Sequence, residues 1–508
     1  MTNKIADFCR VAAEKKNITE LKALVKNDPE LAVIYPESIH ESGGAILFLL
    51  KTSHGKRLIV LGGNTLIFKA CHGVEHLLEK ITFKECRLTH ENSLVIRKYF
   101  PFTNPQSLAE ADLTMGFGDR LGLASPGQIR LIRDTKVKPV LAQQSMRELN
   151  LTGRTYPGVL ADVVWAVFQE DYQNGYGADG DHLKTMDDIQ MALGVGMTMI
   201  TLDCSDYIHN LKNEELSQID KLYAELPSEK RQALETRFLG KSIQVGALTL
   251  AFSTESLRLN GVIYQKAIDY AIKVFQELIK PAGRVDFEVS IDETLTPTDP
   301  LSHFFVALQL IEAGVKINSL APRFCGEFQK GIDYRGDVKQ FEAEYQAHEA
   351  IARHFGYKLS IHSGSDKFTV FPIIGRLSER FHVKTAGTNW LEAVRVIIRQ
   401  DPKLYREMHA FALKHLDEAK KYYHISADPS RIPSLDSLSD DQLPELMNQD
   451  DARQVIHITY GLILQAKDED GKNYLKERIY DCLNQNEDLY AECLEKHLGK
   501  HLQKLGVK

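Results

Sequence analysis

Val285-Asp286-Phe287-Glu288-Val289-Ser290-Ile291-Asp292 is the stretch on which the fold turns. An extended chain sends successive side chains to opposite faces. One face here carries Val285, Phe287, Val289 and Ile291, and the other is wholly polar. The apolar parity suits a sheet covered by helices, which leaves Glu288, Ser290 and Asp292 pointing into whatever the sheet encloses. The same split sets Leu359 and Ile361 against Ser360 and His362, and Phe381 and Val383 against His382 and Lys384. A barrel interior is ordinarily filled by branched apolar residues. Buried charge is costly unless it is paired, metal-bound or functional. Three strands with polar interiors therefore point to a site.

Outward from this segment, strand and helix alternate from about Leu113. The candidate strands are Thr114–Asp119, Pro139–Gln144, Tyr176–His182, Met197–Asp203, Val285–Asp292, Val315–Ala321, Lys358–His362 and Phe381–Thr385. Helical patterns lie between them. Tyr156–Tyr172 repeats Val159, Val163 and Val167 along one face. Pro300–Ala313 has Asp299 as N-cap, Pro300 in the first helical position and Gly314 as its stop. Another helix is expected near Trp390, where Asn389 and Glu392 have capping-box spacing. Eight units in series predict an α/β chain folded as a (β/α)8 TIM-like barrel rather than an open doubly wound sheet.

Three parts are expected. Residues 1–110 form an N-terminal α+β unit in which Ala45–Leu50 and Leu58–Leu61 make a hairpin around Ser53-His54-Gly55. Both runs are almost continuously apolar, so at least one is expected to be buried on both faces. Residues 111–400 form the catalytic barrel, with a helical insertion at 207–281 after the fourth strand. Residues 401–508 form a helical extension, in which Leu404–Tyr423, Asp451–Leu464 and Tyr474–Leu498 flank a Pro/Ser/Asp-rich connector, Ser426–Pro444.

Composition sets the class. The 508 residues are 43% hydrophobic and 26% charged, which excludes a disordered or collagen-like chain. A net charge of −7 argues against a basic nucleic-acid binder. No apolar run approaches the ~20 residues of a membrane-spanning helix, and the start MTNKIADFCR has no secretory core. Seven cysteines without a CxxC fit reduced thiols and a cytoplasmic location.

Three strand ends carry ionisable clusters. Gly175–Lys184 sets Asp181 beside His182, a base next to an imidazole; its bland alternative is a Gly/Asp turn. His362-Ser363-Gly364-Ser365-Asp366-Lys367 joins an imidazole to hydroxyls and a cation, suited to an oxygen-rich anion. Arg323-Phe324-Cys325-Gly326-Glu327 offers a carboxylate that serves either as a ligand or as a helix-start group. Gly116–Gly122 has Leu121 where a dinucleotide loop needs glycine, and no GxxxxGK[ST] exists. The Lys414–Lys421 run reads as a solvated helix face.

Taken together, GFGDRLGLASPG (116–127), VLAQQSMRE (140–148), WAVFQEDYQNGYGADGDHLK (165–184), DFEVSIDETLTPTDPLSHFF (286–305), GEFQKGIDYRGD (326–337), HSGSDKF (362–368), FHVKTAG (381–387), YHISAD (423–428) and IHITYG (456–461) resemble the tagaturonate/fructuronate epimerase family of bacterial hexuronate catabolism. Gly180 and Cys325 depart from that pattern and are expected to carry no chemistry. The resemblance implies a metal-dependent isomerase that interconverts two keto-hexuronates at carbon four. It implies Asp181 as proton acceptor, Glu288 as proton donor, and His182, Glu327 and His362 as metal ligands, with Asp292 and Asp203 in reserve. Lys184, Arg323, Asp366, Lys367 and Lys384 are the expected substrate-binding residues. Two imidazoles with carboxylate oxygen suit Mn, Zn, Ni, Co or Fe(II). The expected partner is a small keto-hexuronate, with no nucleic acid and no membrane. The alternatives are another metal-dependent sugar isomerase or aldolase on the same barrel, and a non-catalytic sugar-acid binder. The second would want aromatic stacking platforms, yet the only tryptophans are Trp165 and Trp390, both within helical patterns.

Overall fold

The computed structural model describes residues 3–53 and 55–507, so His54 of the expected hairpin turn lies outside the described residues. Eight parallel strands close into a barrel in sequential order. They are β1 (Leu113–Gly116), β2 (Lys138–Ser145), β3 (Gly177–Leu183), β4 (Met199–Asp203), β5 (Asp286–Ser290), β6 (Ser319–Ala321), β7 (Lys358–Ile361) and β8 (Phe381–Lys384). Each falls on an expected strand. The ring closes where β8 pairs with β1, Val383 opposite Met115.

The parity of β5 is as its sequence implies. Phe287 and Val289 are buried in the apolar layer, where Phe287 meets Phe275 at 5.9 Å between ring centroids. Glu288 points inward, in register with Thr201 of β4 and Ser319 of β6. Its carboxylate accepts hydrogen bonds from both hydroxyls, at 3.2 Å and 2.5 Å. The barrel interior is therefore a hydrogen-bonded polar stack at the level where most barrels are apolar.

Two elements differ from expectation. The helix around Trp390 spans Ala386–Gln400, starting four residues earlier than expected. Asn389 lies inside it, and its amide donates to the Gly118 carbonyl instead of capping. The 207–281 insertion contains helices Ser228–Phe238 and Thr254–Val274, but also a β-hairpin, Ser242–Val245 with Leu248–Ala251. Its turn is set by Gly246 at φ +58°. The helix Pro300–Glu312 starts as expected, with the Asp299 carboxylate accepting from Ser302 N.

In the N-terminal part, Ala45–Thr52 pairs antiparallel with Gly55–Leu61 inside a five-stranded sheet. Leu47, Leu49, Leu58 and Val60 join the main core, whereas Ile46, Phe48, Ile59 and Leu61 join a second core with Phe8 and Leu21. The hairpin is buried on both faces, which its unbroken apolar runs require. At the other end, helix Glu487–Lys504 packs on the helices Ser125–Ile132 and Ala386–Gln400. All seven cysteines are free and buried. Among the described residues no helix is long and apolar enough to cross a membrane.

Candidate active site at the barrel mouth

The C-terminal ends of the strands open into a cavity of about 430 Å³. His182 enters it from β3, where the register with β4 shifts between Gly180 and Leu183 and His182 adopts φ +51°. A left-handed histidine inside a strand is strained and persists only where its surroundings hold it. Here Asp181 Oδ1 lies 2.9 Å from His182 Nδ1. His362 follows β7, and its Nε2 meets Glu288 Oε1 at 2.8 Å. Each imidazole therefore has one nitrogen tied to a carboxylate, the arrangement that orients a histidine and leaves its other nitrogen for a ligand.

The remaining nitrogens converge. Donor atoms of His182, Asp292 and His362 lie within 4.8 Å of one another, and the two rings are 4.7 Å apart. His362 Nδ1 is buried and has no aligned hydrogen-bond partner, although Asp292 Oδ2 is only 3.1 Å away. A buried nitrogen without a proton partner, beside a carboxylate and a second imidazole, fits a divalent cation. Two imidazoles and one carboxylate suit a first-row transition metal.

Lys384 holds the floor together. Its ammonium donates to Asp181 Oδ1 at 2.7 Å, Asp179 Oδ2 at 3.0 Å and Thr201 Oγ1 at 2.5 Å, and lies 2.8 Å from Glu288 Oε1. Burial opposes the ammonium, but Asp179, Asp181 and Glu288 outweigh it and hold its pKa well above the ordinary lysine value. Burial likewise opposes the charged carboxylates, yet Lys384 and His182 hold Asp181 well below its usual range. Lys384 and His362 do the same for Glu288. Asp179, where burial and its two carboxylate neighbours prevail over Lys384, is pushed up to about 6. Asp292 and Glu288 together outweigh burial at His362 and raise its pKa to about 10.

The other expected site residues are distributed as follows. Asp181, His182, His362, Lys384, Arg323 and Glu327 all line the cavity. Glu288 is fully buried beneath it, behind His362 and Lys384. Glu327 stands outside the converging trio, because a bridge with Arg335 folds its loop and its carboxylate accepts from Gln329 at 2.5 Å. Asp292 occupies the third position instead. Arg323 spends a guanidinium nitrogen on the Thr294 carbonyl.

Lys184 turns outward to Ser205 and Asp206, each at 2.7 Å. Lys367 is fully buried and donates to the carbonyls of Gln329, Ile332 and Ser365. Asp366 pairs with Arg453 at 2.6 Å and with His497, away from the cavity. Asp366, His497 and His501 also lie close enough to suggest a metal group, but His501 Nε2 already accepts the Asp366 N–H at 3.0 Å.

Sequence reasoning did not single out Arg120, Arg147, Lys330, Tyr423 or His457, which also line the cavity. Arg120 stacks on Tyr460 with its Cζ 3.7 Å from the ring centroid, and Arg147 lies 4.9 Å from that of Tyr423. Arg147 does carry a signal in the sequence: in Gln144-Ser145-Met146-Arg147-Glu148 it directly follows a strand end at the capping box Ser145–Glu148.

The fold and site define a class: a (β/α)8 barrel with two carboxylate-oriented imidazoles and a candidate cation site at its mouth. Comparison narrows this. A family model described as tagaturonate epimerase matches residues 35–505. A "Tagaturonate/fructuronate epimerase" of Thermotoga maritima is 42% identical over 478 residues, covering 93% of this chain and 96% of its own length. The native crystal structure of a fructuronate-tagaturonate epimerase from Cohnella laeviribosi superposes with a TM-score of 0.91 at 48% identity, over 96% of this chain and all of that one. A glycerol complex of that enzyme gives a TM-score of 0.90 at the same identity and coverage. The chain belongs to the tagaturonate epimerase family.

Proposed function

We propose that this enzyme interconverts D-tagaturonate and D-fructuronate by inverting carbon four. The observation that carries the reading is the convergence of Asp181, His182, Asp292, His362 and Lys384 on one cavity in a chain of this family. A divalent cation held by His182, Asp292 and His362 supplies Lewis-acid polarisation of the substrate carbonyl when bound. The ketone is at carbon two, so removing a proton beside it does not invert carbon four. Reversible aldol cleavage does.

Asp181 takes the proton of the carbon-four hydroxyl, the carbonyl forms, and the electron pair of the bond between carbons three and four passes into an enediolate. The freed aldehyde turns its other face and the bond re-forms. The carbon-four oxygen then regains a proton. Asp181, protonated in the first step, returns that proton, while Glu288, held ionised by Lys384 and His362, keeps the ammonium against Asp181.

Incubation with either uronate in heavy water is the test. Interconversion without deuterium at carbons three and four is expected, whereas obligatory deuterium there overturns aldol cleavage. Asp181→Asn and Glu288→Gln are each expected to lower kcat at least ~100-fold in cation-saturated enzyme, and to weaken cation binding because each carboxylate orients one imidazole. Retained turnover in either variant overturns its role.

A further inference from the structure

The catalytic centre accounts for one side of the cavity's chemistry. The remainder gathers Arg120, Arg147 and Lys330, with the carboxylates of Glu148, Glu293 and Glu327 also on the lining. Arg120 comes from the loop after β1, Arg147 from the helix Met146–Thr152 after β2, and Lys330 from the loop after β6. Among the described residues, the ion pair found at these three groups is Arg120 Nε with Glu148 Oε1, at 3.2 Å. Arg147 rests on Tyr423, and Lys330 donates to the Ser363 hydroxyl at 2.8 Å.

Like charges brought together at a partly desolvated surface repel unless an anion joins them. The three do sense one another, since burial, Arg147 and Arg120 together lower the pKa of Lys330. A second, independent observation points to a ligand. Arg120 is only 3% exposed, and its Nη1 is buried with no hydrogen-bond partner. His457 beside the same cavity is fully buried, with neither ring nitrogen bonded. Buried donors left open in this way mark a place where a ligand or ordered water completes the site.

The two arginines are also fixed in place. Their guanidinium groups lie on the rings of Tyr460 and Tyr423, and the two phenol oxygens are 3.4 Å apart. A guanidinium fork held on an aromatic face is pre-organised to grip a planar carboxylate. Among the described residues no ion pair links these cations to Asp292, which leaves them to serve a different part of the substrate from the one at the imidazoles.

We propose that Arg147 and Lys330, with Arg120, form the seat for the carboxylate of the sugar acid and make the enzyme selective for a hexuronate over a neutral ketohexose. The proposal rests on the epimerase reading for the identity of the acid, but not for the presence of an anion site. It assigns to Arg147, Lys330 and Arg120 the carboxylate-binding role expected of Lys184, Arg323, Lys367 and Lys384.

The test uses two unreactive probes on the metal-loaded enzyme, galactonate (an open-chain sugar acid) and galactitol (its neutral polyol counterpart). Wild-type enzyme is expected to bind galactonate at least ~10-fold more tightly by equilibrium titration. Arg147→Gln and Lys330→Met are each expected to erase most of that preference and to raise the KM for tagaturonate at least ~10-fold, with kcat changed less than ~3-fold. Arg147→Lys and Lys330→Arg, which keep the charge, are expected to restore part of the preference. An unchanged galactonate affinity in both neutral variants, with their thermal midpoints intact, overturns the seat. A wild-type enzyme that turns over neither uronate overturns the epimerase reading instead, and the galactonate–galactitol comparison still decides the seat.

Discussion

Lys384 shows what a single side chain can carry in a barrel interior. Its ammonium lies against three buried carboxylates, those of Asp179, Asp181 and Glu288. Removing one partner from a buried charge network leaves the others desolvated and unpaired, at a cost of about 3–5 kcal/mol. Lys384→Met is therefore expected to lower the unfolding free energy by about that amount in urea titration. A loss below about 1 kcal/mol would show that the carboxylates relax by taking up protons instead. Lys367 is the contrasting case. Its three carbonyl acceptors come from the loop after β6 and from its own turn, so it ties loops together and has no donor left for substrate. Nothing in His362–Lys367 as a string distinguishes these roles, because the acceptors are contributed by residues 329 and 332 of another loop.

At the level of elements, periodicity was a sound guide wherever one side chain's direction sets the next. The alternation of β5 sent Glu288 inward, and the eight strands follow the expected segments. Loops were not legible in the same way. Glu327 is expected as a ligand from the resemblance alone, yet its orientation follows from the Glu327–Arg335 bridge, a contact between two loop positions. Two packed helices offer a test of their own. His303 of Pro300–Glu312 and His348 of Val338–Phe355 are fully buried, with their Nδ1 atoms 2.9 Å apart, and Tyr357 Oη meets His303 Nε2 at 2.6 Å. Burial lowers His348 to about 4, and burial together with His348 lowers His303 well below its ordinary value.

A histidine whose pKa is depressed on folding stays neutral in the native state while the unfolded chain takes up its proton. Stability therefore falls as pH drops from about 6.5 toward 4, by up to about 1.4 kcal/mol per pH unit for each histidine. Urea titrations between pH 6.5 and 4.5 are expected to show a shallower acid slope in His303→Asn/His348→Gln than in wild type. Parallel slopes would refute the coupling.

For the molecule as a whole, the C-terminal helices are part of the site's architecture. Tyr423 and Tyr460 support the two arginines, and His457 fits between Gly331 and Gly387. A Cβ added at Gly387 would come within 2.1 Å of His457 Cε1, so only glycine allows that approach. The sequence showed these helices as amphipathic segments, but not what they cover, since that depends on packing between parts distant in the chain. Helix Glu487–Lys504 anchors the arrangement through Leu494, Leu498 and Leu502, all fully buried. Leu498→Ala is expected to cost about 2–5 kcal/mol in chemical denaturation. Because this helix packs on Ala386–Gln400, whose first two residues line the cavity, the variant's KM for tagaturonate is expected to rise while cation affinity holds. A variant as stable as wild type would show that this helix adds little to the whole.

The division of the mouth between barrel and extension also has a consequence in time. A ribosome releases the chain from its beginning, so every imidazole and carboxylate of the centre, up to Lys384, has emerged before Tyr423 and Tyr460. The nascent polypeptide thus presents its reactive groups first and the cushions beneath its arginines afterwards, so the proposed carboxylate seat is the last part of the mouth whose residues emerge.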